Sequence, residues 1–293
     1  MLTKVDKDTT TPQGDGSFTG AVFKWEFFAN SNWSGTATRT WYFATDANGR
    51  CIYSKDYLAS GYTSSALYVS PAGGNQLPLG TLKITEVKNS LGYTVIQDTL
   101  YCSIVADSTK ASGAKHVWKA ESAAILKAMA NGDWGVNEPI DTKLFGSVSV
   151  DKYDAVTGQI PQGEATLAGA KFQGINSSAN SVKVGDKIYA PGEAICTLIT
   201  DANGHAQTGS IFPVGTYTIK ESAAPTGYLL NKDWQKTFSV TASNKDFSFT
   251  YDNGTGCPDI VIAGKIQITK KIVNTIDNTN DPEKGAEFSV TDS

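Results

Sequence analysis

LTKVDKDTTTPQGDGSFTGAVF at residues 2–23 recurs as VSVDKYDAVTGQIPQGEATLAGAKF at 148–172, and a third opening, GKIQITKKIVNTIDNTNDPEKGAEF, runs from 264 to 288. Each closes on a Gly-Ala-x-Phe segment. A fixed order of further signals follows the first two. TDANG stands at 45–49 and 200–204, and PLGTLKITEVKNSLGY at 78–93 is matched by PVGTYTIKESAAPTGY at 213–228, with the same spacing from Glu to Gly-Tyr. Self-similarity of this kind means repeated structural units. The repeats predict a first domain over 1–145, a second over 146–263, and the first strand or strands of a truncated third repeat over 264–293.

Between these signals, KTFSVTA, DFSFTYD and GSVSVDK alternate apolar and polar residues with period two, as strands of a half-buried sheet do. Asn-Gly in TDANG suits the positive φ of a hairpin turn. Only 18% of the 293 residues are charged, and Gly and aromatics are plentiful, the balance of a strand-rich protein with many tight turns. The expected class is all-β, with two packed antiparallel sheets in each unit. One short helix is expected in the first domain. Residues 119–130 are rich in Ala, Leu, Lys and Met, with Gly132 as its stop, and Ile125, Leu126 or Met129 would pack on a sheet edge.

Charge and composition exclude several functions. With 25 basic against 29 acidic residues, scattered along the chain, there is no basic face to neutralise phosphates, so nucleic acid is not an expected partner. No apolar run approaches the roughly 18 residues that span a bilayer. Met1 is followed by LTKVDKD rather than a signal sequence, and FSVTDS closes without a finishing strand. The expectation is a segment of a longer exported protein whose signal and anchor lie elsewhere. The two histidines, His116 and His205, sit in no motif with a nucleophile, which argues against a hydrolase. Cys51, Cys102, Cys196 and Cys257 form no metal-ligand spacing. Their even number suits disulfides, Cys51 with Cys102 and Cys196 with Cys257, one in each domain; buried free thiols are the other reading. No cofactor or metal is expected.

The opening K-x-D followed by G-A-x-F, the segment IKESAAPTGY at 219–228 and VNEPIDTKLFGSVSVDK at 136–152 together resemble the collagen-adhesin B-type repeat of Gram-positive surface proteins. This repeat is also called the prealbumin-like or SpaA-type pilin domain. The resemblance implies tandem reversed immunoglobulin-like β-sandwiches, each with its first and last strands joined by an amide between Lys and Asn or Asp side chains, assisted by an acid on a middle strand. Carried onto this sequence, it makes Lys4 the nucleophile, Asn137 the electrophile and Glu86 the proton shuttle of the first domain. In the second it names Lys152 and Glu221, with Asp259 preferred to Asn253 as acceptor, because the Asn-x-Pro pattern at Asn137 is missing there. Lys270 takes the nucleophile's place in the third repeat. Phe23, Tyr93, Phe172 and Tyr228 are candidate apolar walls.

The chemistry needs an uncharged amine, whereas an exposed lysine has a pKa of about 10.4. Desolvation lowers a lysine's pKa and raises a carboxyl's, by up to about 3 to 5 units for fully buried groups. A neutral Lys4 beside a protonated Glu86 is therefore expected. What the resemblance implies for function is a stalk or pilin-like segment of an adhesin, outside the cell and wall-anchored through parts beyond this segment. Its partners would be neighbouring repeats, and its only catalysis self-directed. The alternative makes the first domain an adhesive module that takes a host protein or glycan through its longer loops and Trp25, Trp33 and Trp41.

Overall fold

The computed structural model describes residues 1–122, 125–128, 134–138, 144–273, 280–282 and 287–289, with the backbone alone for 127–128, 134–138, 271–273 and 280–282. The first unit contains β1 (Leu2–Asp6), β2 (Val22–Phe28), β3 (Arg39–Ala44), β4 (Arg50–Cys51), β5 (Gly80–Lys88), β6 (Leu100–Ala106), β7 (Ala114–Ala120), β8 (Leu126–Ala128) and β9 (Trp134–Glu138). The second contains β10 (Ser147–Asp154), β11 (Lys171–Asn176), β12 (Val182–Val184), β13 (Lys187–Tyr189), β14 (Ala194–Ile199), β15 (His205–Gln207), β16 (Gly215–Ala223), β17 (Gln235–Val240), β18 (Asp246–Phe249) and β19 (Cys257–Asp259). A hairpin of β20 (Lys271–Val273) and β21 (Asn280–Pro282) follows.

Each unit is a sandwich of two sheets. In the first, the order β4-β1-β9-β8 faces β3-β2-β5-β6-β7; in the second, β15-β10-β18, with β19 also on β10, faces β14-β11-β16-β17. The first and last strands run parallel, β1 beside β9 and β10 beside β18 and β19. Every other pairing is antiparallel among the described strands, so the parallel pair closes each sandwich by bringing the two ends of a unit together. TDANG is not the expected hairpin turn between paired strands: it carries the chain from β3 in one sheet to β4 in the other, and from β14 to β15 in the same way. In both copies the Asp side chain accepts N–H groups across the turn, and only the glycine, Gly49 or Gly204, has a positive φ.

Alternation decides what lies inside. In β5, Leu82, Ile84 and Glu86 point inward, and in β16 Tyr217, Ile219 and Glu221 do. In β1 and β10 the K-x-D motif sets Lys and Asp on one face by the same period. Phe23, Trp25, Phe27, Trp41 and Phe43 fill the first core; Phe172, Phe212, Tyr217, Trp234 and Phe238 fill the second.

The expected helix over 119–130 is not formed. Lys119 and Ala120 end β7, which pairs along its length with β6, and Leu126–Ala128 is a strand against β9. Helix propensity here is a few tenths of a kcal/mol per residue. A hydrogen-bonded sheet edge, with Ile125 and Leu126 packed on the core, outweighs it. Met129 and Gly132 lie outside the described residues. The expected disulfides are also absent: all four cysteines are free thiols. Cys257 faces Lys152 across β19 and β10, and Cys196 lies opposite Gly174 on β11, so each sulfur is directed at a different neighbour.

Candidate functional site

In the second sandwich a lysine lies buried among acids. Lys152 is directly opposite Cys257, with Asp259 two residues further along the same strand face. Its Nζ is 2.9 Å from Glu221 Oε1, donates to Cys257 Sγ at 3.2 Å and contacts Asp259 Oδ1. The Lys152, Glu221 and Asp259 side chains are fully buried. Glu221 is fixed from behind by the Asn231 N–H, which donates to its Oε2 at 2.8 Å. Phe172, opposite Glu221 on β11, stacks edge-on against Trp234 and walls the site. Asn253 is elsewhere, its side chain capping an exposed turn at Thr250 and Thr255.

The first sandwich repeats the arrangement. Lys4 Nζ donates to Glu86 Oε1 at 3.0 Å with both side chains fully buried. The Ile96 N–H donates to Glu86 Oε2 at 2.7 Å. Phe23 stands opposite Glu86 on β2, and the Tyr93 ring lies 5.2 Å from the Lys4 Nζ. In the parallel pair, Lys4 is opposite Val136 and Val5 opposite Asn137; the side chain of Asn137 lies outside the described residues. By register, the position that Asp259 holds in the second sandwich belongs in the first to Glu138, opposite Asp6. Lys270 is exposed in the segment before β20.

Burial and charge act against each other here. Burial pushes the Asp259 carboxyl up to about 7, assisted by the neighbouring Glu221 and opposed by the Lys152 ammonium. Burial likewise raises Glu86, with Lys4 and the Ile96 N–H opposing, and takes the Cys257 thiol up to about 12. For Lys152, burial works to lower the pKa, but Cys257, Asp259 and Glu221 outweigh it and hold the ammonium above its ordinary value. An unpaired buried charge is costly, and here the pairing wins. Glu221, Cys257 and Asp259 also lie within 4.8 Å of one another, a spacing that a metal could bridge. Lys152 Nζ touches all three, so its ammonium already fills a cation's place.

A second constellation escaped the sequence reading although its residues recur in it. Asp6, of the K-x-D motif, accepts from the Tyr93 hydroxyl at 3.1 Å and from Gln13 Nε2 at 3.2 and 3.0 Å. Asp154 accepts from Tyr228 and Gln162 in the same way, at 3.0 Å each. Burial works to raise the Asp154 pKa, but the N–H groups of Thr157 and Val156, with Gln162 and Tyr228, outweigh it and hold the group down at about 2. Tyr228 is pushed up to about 12 by burial and by Asp154. The signal was the joint recurrence of K-x-D, P-Q-G and G-Y.

The three tryptophans named for an adhesive surface are placed apart in role. Trp25 and Trp41 are core residues, and Trp33, half-buried, donates to the Leu82 carbonyl and packs against Tyr101. His205 pairs with Asp151 at 2.6 Å, and His116 lies on β7. No described helix is long and apolar enough to cross a membrane.

Comparison with known proteins adds a family to this geometry. Fold similarity extends to the Bacillus anthracis TIE protein at 16% identity and a TM-score of 0.42, over 89% of this chain and 33% of that one. The pilus adhesin SpaC from Lactobacillus rhamnosus GG gives 16% and 0.40, over 82% and 26%. The minor pilin GBS52 of Streptococcus agalactiae gives 14% and 0.30, over 92% and 99%. The chain thus spans a third or less of the first two. No curated protein matches the sequence. The SpaA family model, described as a prealbumin-like fold domain, matches residues 146–255. The second sandwich, with its buried Lys152, is therefore a prealbumin-like domain of the SpaA type.

Proposed function

We propose that this chain is part of a stalk on a Gram-positive cell surface, built of modules at 1–145 and 146–263 with a third opening at 264, and sealed by amides within its sandwiches. The observation that carries the reading is Lys152, fully buried and in contact with the carboxyls of both Glu221 and Asp259. In the second module, Lys152 passes a proton to the carboxylate pair, its Nζ attacks the Asp259 Cγ, and the C–O bond to the departing hydroxyl breaks. Glu221 carries the proton from nitrogen to that hydroxyl, so one water leaves for each amide formed. Held in contact, the two groups react as an intramolecular pair, for which effective molarities of about 10⁵ to 10⁸ M are attainable. Product formation also removes two buried charges from the core. Lys4, Glu86 and Asn137 play the same parts in the first module, with ammonia as leaving group.

The mechanical consequence follows from the parallel pairing of first and last strands. A tension applied to the ends of a module reaches β10 and β19 directly, and an amide between them passes it on without peeling the sheet. Catalysis is confined to this self-directed step. In this reading the stalk stands outside the cell and is held to the cell wall.

The test is intact mass under reducing conditions. The expected chain is lighter than its sequence by one water and one ammonia, with peptides joining Lys152 to Asp259 and Lys4 to Asn137. Loss of two waters, with Lys4 joined to Glu138, would reassign the first acceptor to the residue that register favours. A full, unmodified mass would overturn the reading.

A further inference from the structure

The loop after β1 is where the two sandwiches meet. Gly14 N–H donates to Ser181 O at 3.1 Å and Asp15 N–H to Val214 O at 3.2 Å. Asn180 Nδ2 donates to the Gly14 carbonyl, and the Asp15 carboxylate accepts from the Thr216 hydroxyl at 2.7 Å and from Ala179 N–H at 3.3 Å. The Gln13 side-chain Oε1 accepts from Lys183 N–H at 2.8 Å while its Nε2 donates to Asp6. Lys183 Nζ reaches Asp8 at 2.7 Å. Gly14 has φ +58, and a Cβ there would lie 2.2 Å from the Val214 carbonyl oxygen. Pro-Gln-Gly-Asp at 12–15 is thus one half of a joint, and the Pro-Val-Gly-Thr turn with residues 179–183 is the other.

Both halves recur uncovered. In the second sandwich Pro-Gln-Gly-Glu occupies 161–164, Gln162 holds Asp154 as Gln13 holds Asp6, and Gly163 has φ +56; yet none of the described residues lies within 4 Å of a Cβ built there. A groove of about 540 Å³ opens beside it, lined by Gln162, Gly163, Glu164 and Gly227, and by Ile262 and Ala263 where the chain departs. Val156, Ile160 and Ile260 at this end are 84%, 72% and 65% exposed, an apolar fringe that isolated domains seldom leave bare. In the first sandwich, Val214's counterpart Leu79 in Pro-Leu-Gly-Thr is 56% exposed, whereas Val214, under the joint, is 4% exposed.

We infer that Gln162, Gly163 and Glu164 form the docking site for a following module of this same fold, which seats its Pro-x-Gly-Thr turn there as the second sandwich does on Gln13, Gly14 and Asp15. The occupant is fixed by two features: the same motif is already occupied by such a turn one repeat earlier, and Ile262 and Ala263 lead the chain out along the groove. Glu164 takes the turn's hydroxyl and a backbone N–H, and the Gln162 side-chain Oε1 takes a second N–H. Repetition of a joint with several bonds makes successive modules a stiff rod. This inference concerns contacts between modules and does not require the amides within them.

The experiment retains the whole chain and inserts a second copy of residues 146–263 after Ala263, so that Gly163 and Glu164 face a turn known to fit. Amide hydrogen exchange is then compared with the natural chain. Gly163 and Glu164 are expected to slow by about tenfold or more, approaching Gly14 and Asp15. Gly163→Val in the extended chain is expected to abolish that protection, because its side chain would meet the facing backbone. Unchanged exchange at Gly163 and Glu164 while Gly14 and Asp15 stay protected overturns the inference, and so does protection that survives Gly163→Val. Unprotected Gly14 and Asp15 in the natural chain would overturn it too. Intact mass, read on the same samples, reports the amides separately.

Discussion

Lys152 and Glu221, on facing sheets, meet with 2.9 Å between Nζ and Oε1 and no solvent at either side chain. A glutamate could hold a buried ammonium for structural reasons alone, and such pairs add little net stability. Removing the acid separates the two roles.

Glu221→Ala and Glu86→Ala are each expected to leave a folded sandwich that keeps its full mass in the affected module. Without the shuttle, the proton has no path from amine to leaving group. The cross-link lost should cost about 2 to 4 kcal/mol, by analogy with a disulfide closing a loop of similar length. Intact mass and a thermal melt read both effects. Persistence of the dehydration in Glu221→Ala would show that Glu221 has no part in the step.

The acids of the K-x-D motif predict a pH dependence. Asp154 is held at about 2, below the roughly 3.9 of an unfolded aspartate. A depressed folded pKa stabilises fully above the unfolded value, and the contribution is lost as pH falls toward about 2. Wild type and Asp154→Asn should therefore differ by about 2 kcal/mol near neutrality from this source. The gap should close between pH of about 4 and about 2. Urea titrations across that range check it, and a gap independent of pH would refute the assignment.

The repeat made most of the site legible. Lys4 with Glu86 and Lys152 with Glu221 stand at matching places in two copies, and period-two alternation sends each to the interior; Asp259 came from the family resemblance, and its counterpart by register is Glu138. The joint of Gln13, Gly14 and Asp15 was printed in the same repeats but went unread, because nothing local distinguishes a loop that caps its own sheet from one that grips a neighbour. The segment 119–130 misled for a different reason. Its Ala and Lys favour helix only weakly, and the partners that make strands of it, β6 for Lys119 and Ala120 and β9 for Leu126–Ala128, are set by tertiary pairing. Cysteine pairing was illegible because spacing does not say which neighbour a strand residue will face.

Tyr228→Phe and Tyr93→Phe remove only the hydroxyls that donate to Asp154 and Asp6. A hydrogen bond to a charged group contributes about 1.5 to 3 kcal/mol, so each variant should lose that much stability. Condensation should survive, since Glu221 and Glu86 are untouched. Chemical denaturation with intact mass tests the pair of statements. Loss of the amide in Tyr228→Phe would move the tyrosine from support of the strand to control of the lysine.

Cys257 supplies a test of how closed the second site is. Its thiol faces Lys152 at 3.2 Å, is fully buried, and is held up at about 12, so both access and thiolate content are low at neutral pH. Cys102 is buried and raised to about 12 as well, and Cys196 is only partly buried. In native protein at neutral pH, a thiol-selective reagent should modify Cys196 first, and Cys257 only as the second sandwich unfolds. Under denaturant all four should react. Cys257→Val, which gives Lys152 the neighbour that Val136 is to Lys4, should still lose its water, because the sulfur is a contact and not the acid. Rapid labelling of Cys257 in the native state would mean that water reaches Lys152, and the dry site on which the condensation depends would not exist.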